Sequence, residues 1–176
     1  MNRTLIALFL LLAGMLLAAC TTPDDEAEAA KAKAAAAPLA PLVAPKTGDD
    51  KEWKIYLQQV VQRNMAGVTD RVFPYYLPNN STVPTPEDQD GKSMYDRQLE
   101  NVATVISRTV LPGNMLVFGS PDSAKMADLI VASFTGAPAD ALKGSQVLFI
   151  GNAADSARVQ PVVEAVGAKY IFVEAK

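Results

Sequence analysis

The sequence predicts an α/β fold: a small three-layer βαβαβ parallel sheet preceded by two helices, all within residues 49–176. Three observations carry this prediction. Met115–Phe118, Gln146–Ile150 and Lys169–Val173 are short, nearly continuous apolar runs, the pattern of strands covered on both faces. Segments of helical periodicity separate them, long enough to return the chain parallel to itself. Gly119, Gly136, Gly151 and Gly167 punctuate the boundaries between runs.

The elements follow in chain order. Asp50 stands where a cap is needed for a helix over Lys51–Asn64, which places Trp53, Tyr56, Leu57, Val60 and Val61 on one face. Residues 68–91 carry Pro74, Pro78, Pro84 and Pro86 and read as a long loop, with room for one extra edge strand. Ser93 caps a second helix, Met94–Val110, with an apolar stripe from Met94 through Leu99, Val102, Val105 and Ile106; Pro112-Gly113 ends it. After the first apolar run, Ser120 is the expected cap and Pro121 the first residue of a helix to Thr135. After the second run, a helix over Ala153–Val166 is expected to kink or split at Pro161. The crossovers should be right-handed, a rule that strand orders 1-2-3 and 2-1-3 both satisfy. Helices 51–64 and 94–110 are expected to cover whichever sheet face the crossover helices leave bare.

Composition removes whole classes of chemistry. The chain has 176 residues, one Cys and no His. A Ser-His-Asp triad, a Cys-His dyad, a His-ligated metal and an intrachain disulfide are all excluded. A net charge of −3 argues against a general nucleic-acid binder. The G-x-G-x-x-G, G-x-x-x-x-G-K-[ST] and G-x-S-x-G patterns are absent. No enzyme activity, cofactor or metal is expected.

The amino terminus reads as a targeting signal. Arg3 supplies a positive start, Leu5–Leu17 is an apolar run of 13 residues, and Ala18 and Ala19 precede Cys20. The run is short of the roughly 20 residues a spanning helix needs and suits a secretory h-region. Leu17-Ala18-Ala19-Cys20 resembles the lipobox of bacterial lipoproteins. That resemblance covers only the signal region. It implies cleavage after residue 19, lipidation of Cys20, and anchoring by several acyl chains, palmitate among them. Thr21, rather than Asp, implies the outer membrane, with the folded domain in the periplasm. Residues 20–48 then form a tether: Thr21–Gly48 holds ten Ala and four Pro and no aromatic residue. A flexible chain of that length spans roughly 30 Å.

Two places are candidates for binding. Val117-Phe-Gly-Ser-Pro-Asp-Ser-Ala-Lys125 resembles Phe149-Ile-Gly-Asn-Ala-Ala-Asp-Ser-Ala-Arg158, each a strand, a glycine, a small polar residue and a helix start. Turns at the carboxyl edge of a parallel sheet are where ligands bind, and helix amino termini suit anions. Gly119, Ser120, Ser123, Gly151, Asn152 and Ser156 are the ligand-binding candidates there, with Lys125 and Arg158 within reach. Asp122 and Asp155 are placed to take the same N–H groups as internal caps. The second place is Arg71–Pro78, where Phe73, Tyr75 and Tyr76 offer a partner-binding surface if exposed. Glu87–Gly91 falls short of a calcium loop. The leading expectation is an anchored envelope lipoprotein whose α/β domain binds or assembles with another envelope component. The alternative is a ligand-binding or enzymatic domain using turns 119–123 and 151–156 for a small anion.

Overall fold

The computed structural model describes residues 40–84 and 90–176. The signal segment, Cys20, most of the tether and most of the acidic turn at 87–91 lie outside the described residues. Residues 42–176 form one unit. Its elements are α1 (Asp50–Arg63), β1 (Val72–Tyr76), α2 (Met94–Ser107), β2 (Met115–Gly119), α3 (Ser123–Phe134), β3 (Gln146–Gly151), α4 (Ala153–Ala165) and β4 (Lys169–Glu174). No helix among the described residues is long and apolar enough to cross a membrane.

The strands make one parallel sheet in the order β1-β2-β3-β4. The three apolar runs are β2, β3 and β4, as their composition predicts. β1 is the extra edge strand, formed inside the stretch otherwise read as a loop. It tolerates Pro74 for a definite reason. Met115 N donates to Arg71 O and Leu77 N to Gly119 O, so residues 71 and 77 face β2. Peptide groups alternate sides along a strand, so the nitrogen of Pro74 lies on the outer edge, where no ladder bond is lost.

Sequential order combined with one crossover hand sends every crossover helix to the same face. α2, α3 and α4 accordingly share one core, in which Val102, Ile106, Met126, Ile130, Val159 and Val163 meet Leu116, Phe118, Val147 and Phe149. α1 alone covers the other face, with Trp53, Tyr56, Leu57 and Val60 against Met115, Val117, Leu148 and Ile150. Alternate residues of β2 and β3 thus serve opposite cores, and every residue of both strands is buried. The helix at 94–107 is therefore itself a crossover, from β1 to β2, and joins α3 and α4 rather than α1.

Helix ends follow local chemistry. Asp49, one residue before the expected cap, accepts from Glu52 N at 2.9 Å. Ser93 and Asp96 form a reciprocal capping box on α2. α3 begins at Ser123 with Asp122 as its cap, not at Pro121 with Ser120. The Ser120 hydroxyl is engaged elsewhere, donating to Leu77 O at 2.8 Å and accepting from Asp122 N at 3.0 Å. α4 runs unbroken through Pro161. Pro161 and Ala157 are both exposed, so the carbonyl the proline cannot serve faces water, while buried Val159 and Val163 hold the helix to the sheet.

Candidate functional site

The two matching turns lie side by side at the carboxyl edge of the sheet, because β2 and β3 are adjacent and parallel. Ser123 ties them together. Its hydroxyl accepts from Asn152 N at 2.8 Å and donates to Asp155 Oδ2 at 2.6 Å. The glycine of each turn is required by packing. A Cβ on Gly119 would collide with Leu57 of α1, and a Cβ on Gly151 with the Ser123 hydroxyl and the Phe149 ring. Both glycines thus seat one element of the fold against another.

The charged residues of the turns are paired with each other. Asp122 accepts from Lys125 N at 3.0 Å, and the Lys125 ammonium lies 3.2 Å from the same carboxylate. Arg158 bridges Asp128 and Asp155 and donates to Ala124 O at 2.7 Å. The Asp128 hydrogen bond, then that of Asp155, raise its already high pKa. Asp122, Asp128 and Asp155 are each matched to a cation of their own turn or its neighbour. Ser156 points away from this edge: it is buried, with its hydroxyl 2.9 Å from the Tyr170 hydroxyl.

A crevice of about 240 Å³ does join the two turns, lined by Ser120, Ser123, Gly151 and Asn152 on one side and by Lys46, Trp53 and Lys176 on the other. Its second wall is the entering chain. Ala44 N donates to Lys176 O at 2.6 Å and Trp53 Nε1 to Thr47 O at 2.8 Å, which straps residues 44–47 across the edge. Lys125 and Arg158 do not line it. Its volume is below the roughly 300–1,000 Å³ of small-molecule pockets. Lys46, Trp53 and Lys176 come from a tether, a core-facing helix position and a strand end. No spacing in the sequence relates them, and only the tertiary fold brings them together. Among the described residues no group of three or more acids or Cys gathers as a metal site.

Phe73, Tyr75 and Tyr76 do not form one patch. The pleat of β1 sends Phe73 and Tyr75 to the three-helix side and Tyr76 to the α1 side. Tyr75 stacks on Phe118 with ring centroids 4.9 Å apart. Tyr76 donates to Asp50 Oδ1 at 2.8 Å and lies under Lys54. Burial first, then the Asp50 hydrogen bond and charge, push its hydroxyl well above the usual tyrosine range. The three rings are half-buried, pinning the edge strand to both cores.

The chain matches no protein-family model, no curated protein and no solved structure at a significant level.

Proposed function

We propose that the protein is an outer-membrane lipoprotein, anchored through Cys20, whose periplasmic α/β domain is a non-enzymatic binding or assembly module for another envelope component. The observation that carries this reading is Leu17-Ala18-Ala19-Cys20 behind a short apolar h-region. The geometry of the domain favours a module over a small-anion site. Lys125, Arg158 and Ser123, the groups that would hold an anion, are taken up by Asp122, Asp128 and Asp155. Gly119 and Gly151 serve packing. The crevice with Lys46 and Lys176 is what speaks for the alternative.

The test is Cys20→Ser, followed by metabolic labelling with an alkynyl fatty acid and membrane fractionation. The wild type should carry label and sediment with outer membrane, and the variant should lose both. An unlabelled wild type would refute the anchor. Lysine-reactive crosslinking of the native lipoprotein in its cells should capture one stoichiometric envelope protein. Capture of bulk envelope protein alone would refute a module that binds another envelope protein.

A further inference from the structure

We infer that a groove at the amino end of β1 docks an acidic, apolar-tipped peptide segment of the partner protein; this rests on the binding-module reading above. The groove encloses about 430 Å³ between β1 and the end of α2. Its apolar lining is Phe73, Val105, Val110 and Leu111, and its charged rim carries Arg71 and Arg108 against one acid, Asp70.

Three features point to an occupant. The first is Leu111, which is 67% exposed on the lip of the groove although the core begins one residue earlier at Val110. The second is the backbone that puts it there. Thr109 has φ 66°, the one non-glycine residue with positive φ among the described residues. A β-branched residue is an outlier in that region, and such strain collects at functional surfaces. Thr109 N donates to Ile106 O at 3.1 Å and Val110 N to Ala141 O at 2.8 Å, so the reversal is held on both sides. It turns Val110 inward and Leu111 outward. The third feature is charge. Arg108 makes no ion pair with any described residue, and Arg71, with 78% of its side chain exposed, has only Asp70 at 3.9 Å.

An arginine beside an apolar hollow recognises a carboxylate on an apolar chain, because its planar fork binds both carboxylate oxygens. Two arginines are too few for the polybasic clusters that hold anionic bilayers, and the surface is concave. Strand addition is also disfavoured, since Pro74 removes a donor from the outer edge. Side-chain recognition of an acidic segment is the chemistry left.

The experiment uses the full-length lipoprotein in its own cells, with a photocrosslinking amino acid at Leu111 and, in a second strain, at Ile55 on α1. Leu111 should yield one stoichiometric protein adduct, mapped to a segment rich in Asp or Glu. Arg71→Glu with Arg108→Glu should cut that adduct at least tenfold while leaving the thermal midpoint unchanged. Lipid adducts at Leu111, an adduct on a segment without acids, or one indifferent to charge reversal would overturn the proposal. So would an adduct from Ile55 only, which leaves the module reading standing on another surface. If lysine-reactive crosslinking also captures no partner, both readings fall together.

Discussion

Asp96 shows how one side chain can be read from the sequence and then weighed from the structure. It accepts hydrogen bonds from the Ser93 hydroxyl at 2.6 Å and Ser93 N at 2.9 Å, while the hydroxyl accepts from Asp96 N. Those bonds, the hydroxyl first, hold its carboxyl below the usual aspartate value of 3.8. The folded state therefore favours the ionised form. Its contribution to stability is complete above about pH 4 and is lost as pH falls through the depressed folded value. Ser93→Ala should lower the unfolding free energy by about 1 kcal/mol at neutral pH. Asp96→Asn should flatten the acid limb of stability below pH 4. Urea unfolding of the wild type and both variants between pH 7 and pH 2.5 checks both statements. The Ser93 cap was legible because capping chemistry is local. Ser120 was misread as a cap because its true acceptor, Leu77 O, is 43 residues away in sequence.

At the scale of elements, periodicity identified every helix among the described residues, but not what each helix meets. The stripe from Trp53 to Val60 marks α1 as amphipathic. That Leu57 descends onto the carboxyl end of β2, into the space a side chain at Gly119 would take, is a fact of packing. Gly119→Ala should therefore cost about 1–3 kcal/mol, because the buried Leu57 side chain must move in a close-packed site to admit a methyl group. On a Leu57→Ala background the same substitution should cost much less. A double-mutant cycle by chemical denaturation measures the coupling; additive costs would mean that α1 is not seated on Gly119. Pro161 teaches the converse. The breaker was legible, yet α4 continues, since burial of Val159 and Val163 outweighs one missing backbone bond.

For the whole molecule, a sheet of order β1-β2-β3-β4 leaves β1 and β4 as two edges. Pro74 blunts the first. Pro74→Thr should place a free N–H on the outer edge and raise self-association without changing the fold. Light scattering across a concentration series checks this, and a variant that stays as monodisperse as the wild type would remove the protective role. The same topology explains the shape of the carboxyl edge. All crossover helices leave on one side, so there is no switch point at which adjacent loops part to open a wide ligand crevice. What remains is the narrow crevice closed by residues 44–47.

The sequence by itself determined the α/β class, the three inner and outer runs that became β2, β3 and β4, and the helices between them. These depend on periodicity and on residues within a turn of each other. The tertiary structure alone decided the strand order, where within residues 68–91 the edge strand forms, and the pairing of Arg158 with Asp128 and Asp155. It also decided that Gly119 and Gly151 serve packing, and that Leu111 stands out over an arginine-rimmed groove. Each of these joins residues distant in the chain, and side-chain spacing carries no information about which distant surface will close on it.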